Sequence, residues 1–257
     1  MAPRIAIVDY RKGNLKSVER GIVAAGGDAF VASDAADIAG ADAVVLPGVG
    51  AFADAAATMG ELGQIDVVRE RIAAGVPFLG ICLGMHLMFE EGVEGASAED
   101  DEASTHNARG LAVLPGVVTK MPKRDEQGLS YKVPHVGWNT VRFVADEPKG
   151  EAESTKRVSQ RSEDCLSDWT PPRPSADQVG KCCPLFEGIP SGTYFYFTHG
   201  FVAPTGPFAV GETVHSVTFP SAVQYGDVAF GVQFHPEKSS DAGARLLRNF
   251  VSIVKGA

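Results

Sequence analysis

The chain lacks an excess of basic residues, is poor in cysteine and has no long apolar run, and each lack excludes something. A formal net charge of −9 over 257 residues argues against nucleic acid as a partner, because a phosphate backbone is ordinarily met by a patch of Lys and Arg. Much of the acidity is local. Glu94, Glu99, Asp100, Asp101 and Glu102 share one stretch and read as a solvated loop. Nowhere do about eighteen apolar residues run together, and no N-terminal segment joins basic residues, an apolar core and a small-residue cleavage site. The expectation is a cytoplasmic protein with no membrane partner. The four cysteines have neither disulfide-framework density nor zinc spacing. Cys165, Cys182 and Cys183 fall in one polar segment and read as incidental thiols, whereas Cys82 stands alone. No metal and no cofactor is expected.

What the chain does have is a change of pattern partway along. Short apolar runs at 4–8, 29–32, 43–46 and 76–79 alternate with helical periodicity, first at 15–25 and then up to residue 74. Near-continuous apolar strands separated by helices imply a parallel sheet covered on both faces. Pro47-Gly48 is read as stopping the third strand. Beyond about residue 109 the pattern turns β-rich, with strands expected at 111–120, 140–144, 193–198, 209–211, 221–224 and 228–233, and a hairpin turn at Gly226-Asp227. A closing helix is expected over 241–254, capped by Ser240 or Asp241, with Ala242, Leu246, Phe250 and Val254 on one face. Segments 95–107 and 145–183 are polar and poor in aliphatics, so they read as insertions that bury too little surface to offset ordering. The fold expected is α/β, one domain over 1–257 with a mixed sheet flanked by helices.

Gly80-Ile81-Cys82-Leu83-Gly84 follows an apolar strand and opens a helical pattern. This spacing reads as a nucleophile elbow, in which a sharp strand-to-helix turn exposes the central side chain. A helix N-terminus beneath the sulfur favours the thiolate, the attacking species. Far along the chain, Gly231-Val232-Gln233-Phe234-His235-Pro236-Glu237 supplies a base, His235, and a carboxylate to orient it, Glu237. Pro47-Gly48-Val49-Gly50 is a glycine-rich loop at a strand end. Its backbone N–H groups can stabilise an oxyanion, with Val49 as one donor and Leu83, after the nucleophile, as the other. Because glycine permits a peptide flip, such a hole can be confined to an activated state. Pro134-His135-Val136-Gly137-Trp138-Asn139 reads as a tight turn whose Trp138 is either core or an exposed anchor for a partner. Tyr194-Phe195-Tyr196-Phe197 alternates like a strand.

These motifs resemble the class I (triad) glutamine amidotransferases, whose fold is a flavodoxin-like mixed sheet. Within that family, the segment from Pro134 to Asn139, Tyr196-Phe197-Thr198-His199, Glu237-Lys238-Ser239 and Gly13-Asn14-Leu15 are similar to the glutaminase subunits of imidazole glycerol phosphate synthase. The resemblance implies hydrolysis of L-glutamine through a thioester on Cys82, with ammonia passed to a (β/α)8-barrel cyclase subunit (HisF) in a heterodimer. It implies that Gly84 and His86 contact substrate, His86 standing where the family usually carries glutamine. It also implies that Asn14, Trp138, Tyr196 and Lys238 line the partner interface or channel mouth. The insertion at 145–183 is not part of the family pattern. Rival readings are a glutaminase subunit serving another synthase, a free-standing γ-glutamyl hydrolase, and a catalytically idle regulatory subunit.

Overall fold

Three apolar runs form strands that are buried almost throughout: β1 (Arg4–Val8), β3 (Ala43–Gly48) and β4 (Phe78–Cys82). The computed structural model describes residues 1–96, 106–144 and 183–257. The 145–183 insertion therefore lies outside the described residues except for Cys183, which is buried, and so does most of 95–107. Cys165 and Cys182 lie outside them as well. With β2 (Asp28–Ala32), the first strands pair in parallel in the order β2-β1-β3-β4.

The β-rich part adds β8 (His135–Phe143), β9 (Thr193–His199), β11 (Ala209–Val214), β12 (Thr218–Tyr225) and β13 (Ala229–Val232). They extend the same sheet to nine strands, β2-β1-β3-β4-β13-β12-β11-β8-β9. Strand β13 is the seam, parallel to β4 on one side and antiparallel to β12 on the other. Glycine 226, at φ +59°, turns the β12–β13 hairpin as expected. A second sheet of four short strands, β10-β7-β5-β6, is made by β5 (Phe89–Gly92), β6 (Ala108–Arg109), β7 (Leu114–Lys120) and β10 (Phe201–Val202).

Helix α1 (Leu15–Ala24) buries Val18 and Ile22 and ends where Gly26 takes φ +91° and donates to Val23 O at 3.0 Å, a glycine stop. It packs beside α6 (Ser240–Gly256), so closely that a Cβ on Gly21 would lie 2.7 Å from Leu247. Helices α2 (Ala35–Ala39), α3 (Phe52–Glu61) and α4 (Gln64–Ala73) pack together and belong with a second apolar core. The core against α1 and α6 is rich in aromatics. Phe234 stacks on Phe195 at 4.1 Å and meets Phe197 edge-on at 5.7 Å. Each such fully buried ring contributes about 1.5–3 kcal/mol, and together they fix the strand end that carries residue 235.

Four expectations change. Strand β3 runs through Pro47-Gly48, pairing Pro47 with Ile81 and Gly48 with Cys82. The proline is tolerated because pairing with β1 ends at Val45, so Pro47 has a ladder partner on the β4 side alone. The segment from His135 to Asn139 is the first half of β8, a nine-residue strand, and not a tight turn. Gly137, at φ +138°, has open space about it, so the strand absorbs it without a chain reversal. Helix α6 begins at Ser240 with Ser239 in the cap position, whose hydroxyl is committed elsewhere. Glu94 is not merely solvated: its carboxylate and carbonyl oxygens accept from Phe52 N at 3.3 Å and Ala53 N at 3.0 Å, satisfying the start of α3.

Candidate active site

Cys82 ends β4 and holds φ +54°, ψ −107°, a conformation that costs a non-glycine residue about 1–3 kcal/mol and persists only where the surroundings enforce it. Here they do. The next residues turn at once into α5 (Leu83–His86), and a Cβ on Gly84 would collide with the Leu46 carbonyl oxygen. A Cβ on Gly80 would lie 2.6 Å from Gly84 O. The helix therefore sits against β3 and β4 at backbone contact, and the sulfur is held up at the carboxyl ends of the parallel strands.

Because β13 is the parallel neighbour of β4, with Val232 opposite Ile81, the chain beyond β13 emerges beside Cys82. There His235 bonds Glu237 Oε1 through Nδ1 at 2.9 Å and lies close enough to Cys82 for the sulfur to act on its charge. Both partners are buried, the side chains of His235 and Glu237 keeping only 5 % and 1 % exposure. Burial by itself lowers the imidazole pKa. The hydrogen bonds and negative charge of Cys82 and Glu237 outweigh it and raise the pKa to about 9. A proton is thus stored on the ring at neutral pH. The turn Pro236–Lys238 is pinned by Ser239, whose Oγ donates to His235 O at 2.6 Å and accepts from Tyr196 N at 3.0 Å, while His235 N donates to Tyr196 O at 2.9 Å.

The residues expected around this triad divide into two groups. Gly48 lies directly opposite Cys82 in the β3–β4 ladder, and Leu83 is the first residue of α5. Val49 and Gly50 form an exposed loop with Gly50 at φ +101°. The peptide N–H of Val49 is turned towards the Tyr10 hydroxyl, although that buried oxygen makes no hydrogen bond of standard geometry. Burial holds the Tyr10 phenol un-ionised, well above its usual range. Gly84 and His86, expected to contact substrate, are both buried and engaged by protein. Gly84 packs on Leu46, and His86 Nε2 bonds Gln233 Oε1 at 2.5 Å. Helix packing at the elbow leaves α5 enclosed by protein, with its residues from Leu83 to His86 all buried.

Several neighbours of the sulfur carried no signal of their own in the sequence. Cys82 Sγ lies 3.7 Å from Thr198 O and 3.8 Å from Gln233 Nε2. Behind β8 and β9 runs a chain of neutral histidines. Burial, with the nearby His215, lowers the His135 pKa to about 4, and burial holds that of His199 well below the usual imidazole value. His199 Nδ1 donates to Phe201 O at 2.8 Å, so its Nε2 accepts from His135 Nδ1 at 3.2 Å, and His135 Nε2 accepts from Asn139 at 3.3 Å.

The residues expected at a partner interface lie on the surface. Trp138 and Tyr196 are directly opposed across β8 and β9, ring centroids 6.0 Å apart. Trp138 is 52 % exposed and Tyr194 59 %, which decides for an outward Trp138 over a core one. Asn14 is the residue before α1, half-buried, and Lys238 is exposed one residue after Glu237. Among the described residues no helix is long and apolar enough to cross a membrane.

Known proteins resemble this chain in sequence and in fold. A family model described as glutamine amidotransferase class-I matches residues 6–254. The HisH subunit of imidazole glycerol phosphate synthase from Moorella thermoacetica is 39% identical over 255 residues, covering 98% of this chain and 96% of that protein. Its counterpart from Synechococcus elongatus is 36% identical, covering 99% and 95%. Among solved structures, that of PurLQS from Thermotoga maritima aligns with a TM-score of 0.62 at 13% identity, covering 98% of this chain and 99% of that one. A structure described as a glutamine amidotransferase aligns at 0.61 and 16%, covering 97% and 98%. At those identities the structural likeness speaks for the fold alone. The sequence relatives and the family model go further: the chain belongs to the class I glutamine amidotransferases, in the HisH family of imidazole glycerol phosphate synthase subunits.

Proposed function

We propose that the chain is the glutaminase subunit of an imidazole glycerol phosphate synthase, with Cys82 as nucleophile, His235 as acid and base, and Glu237 as the group that orients His235. The observation that carries this reading is the meeting of the three side chains beside adjacent parallel strand ends, His235 next to Cys82 on one side and bonded to Glu237 at 2.9 Å on the other. The thiolate attacks the side-chain carbonyl carbon of L-glutamine, and the tetrahedral intermediate collapses as His235 gives its proton to the departing ammonia. A γ-glutamyl thioester remains on Cys82. The ring, now neutral, removes a proton from water, which attacks the thioester and releases glutamate. Glu237 keeps the tautomer that presents Nε2 to the reacting atoms.

The oxyanion formed in both steps needs donors. Leu83 N–H is one. Val49 N–H is the second, once the peptide between Gly48 and Val49 turns away from Tyr10. That turn is the step a docked partner would favour, and it makes glutaminase activity low in the isolated subunit. The partner in this reading is a (β/α)8-barrel cyclase subunit (HisF), docked over Trp138, Tyr196, Lys238 and Asn14. Ammonia passes to it shielded from water, since protonation to ammonium would end its nucleophilicity. The whole chain acts as one domain in the cytoplasm, and no cofactor is required by any step.

The test is Cys82→Ser in the complex with the cyclase. Glutamine-dependent turnover is expected to fall to background while turnover supported by added ammonium salt stays near wild type. Equal loss of both would refute the division of labour between the subunits. Activation of the chain by a synthase other than the cyclase would favour the first rival.

A further inference from the structure

Gln233 belongs to the motif that carries His235, yet no step above uses it. It is fully buried one residue beyond β13. Its two amide atoms face different partners: Nε2 lies 3.8 Å from Cys82 Sγ, and Oε1 lies 2.5 Å from His86 Nε2. His86 closes α5 at 3 % exposure. Burial lowers its pKa to about 4, so the ring is neutral and carries one N–H. An imidazole donating from Nε2 requires the amide oxygen of Gln233 to face it, and this turns the NH2 group to the sulfur.

The sulfur has a second neighbour of opposite character. Thr198 O, at 3.7 Å, accepts from the S–H of the neutral thiol. Besides His235, the two protonation states of Cys82 thus have separate partners, the carbonyl of Thr198 for the thiol and the amide of Gln233 for the thiolate. A hydrogen bond to an ionised acceptor is about twice as strong as one between neutral groups, so the Gln233 contact strengthens when the proton leaves. With its amide reversed, Gln233 would set a carbonyl lone pair against the thiolate and oppose ionisation.

We propose that Gln233 is a further catalytic residue, donating from Nε2 to the Cys82 thiolate, and that His86 is the positioning residue that fixes the direction of its amide. The inference rests on the reading of Cys82 as the nucleophile of glutamine hydrolysis. It also accounts for His86 in place of glutamine, because either side chain offers an N–H to Gln233 Oε1.

The experiment is alkylation of the full-length chain by iodoacetamide across the neutral and alkaline pH range, followed by mass spectrometry at the peptide containing Cys82. Gln233→Met keeps the volume and removes the donor. It is expected to slow alkylation about tenfold at neutral pH and to move the midpoint of the profile upward by about one pH unit. His86→Leu, which frees the amide to reverse, is expected to move the profile the same way by a smaller amount, and His86→Gln to restore it. A wild-type profile in Gln233→Met overturns the catalytic role of Gln233. A profile in His86→Gln that lies as far from wild type as that of Gln233→Met overturns the positioning role of His86, and this pair decides even where His86→Leu fails to fold. Alkylation needs no glutamine, so these outcomes strike this proposal alone. A Cys82→Ser chain that still supports glutamine-dependent turnover strikes the reading beneath it.

Discussion

Around Cys82, a Cβ on Gly84 would run into the backbone of β3 and one on Gly80 into the backbone of α5, whereas on β8 Gly137 has nothing within 4 Å and the adjoining Trp138 is 52 % exposed. The elbow is fixed by repulsion. Its strained cysteine stands because no neighbouring atom has room to move, and every residue from Phe78 to His86 is buried. The ribbon of β8 and β9 is ordered on one side only, by Phe195 and Phe197 in the core, and on the other it leaves Val136, Trp138 and Tyr194 facing out. Large apolar groups left exposed together mark an interaction surface. In the proposed reading, chemistry falls to the part with no freedom, and recognition to the part with unused apolar area.

The sharpest way to break this contrast is to place a methyl group in the elbow. Gly84→Ala is expected to remove activity altogether and to destabilise the chain by about 3 kcal/mol or more, measured by denaturant unfolding. Wild-type stability would mean that α5 can back away from Leu46 and that the elbow is looser than its contacts imply. Next in size is Glu237→Gln, which leaves the shape of the site and removes a charge. Turnover in the complex is expected to fall about a hundredfold. The carboxylate helps raise the His235 pKa to about 9, so without it the imidazolium is lost at lower pH. The alkaline limb of glutamine turnover should therefore move to lower pH. A limb that stays in place would show that Glu237 does not hold the proton on the ring. The smallest effect is expected on the open side. Trp138→Ala should weaken partner binding by about 2 kcal/mol, near thirtyfold in Kd by titration calorimetry. It should change the stability of the isolated chain by less than about 0.5 kcal/mol, as befits an exposed side chain.

The same contrast governs what was legible in the sequence. Runs such as Ala43-Val44-Val45-Leu46 declare a strand buried on both faces, because they are short, wholly apolar and stopped at once by Pro47-Gly48. The elbow was legible because a glycine on either side of Cys82 is a steric requirement that composition alone exposes. His235 and Glu237 were legible because proline fixes the turn between them. The start of β8 was misread, since Pro134, Gly137 and Asn139 are each turn residues and only pairing with β9, from His135 opposite His199 onward, makes them a strand. Helix α2, five residues long, and β5 carry too few residues for a period to register. Gln233 and Thr198 acquire meaning only from what lies across the sheet, which no local pattern reports.

Strand β13 is slotted between β4 and β12, so Cys82 meets His235 only after a stretch of chain synthesised much later has been inserted beside it. Synthesis proceeds from the N-terminus, and pairings between distant segments form slowly. A growing chain therefore carries Cys82 without His235 beside it, and a chain interrupted before residue 235 never gains that neighbour. Assembly of the candidate site therefore waits until the last strand has paired with β4.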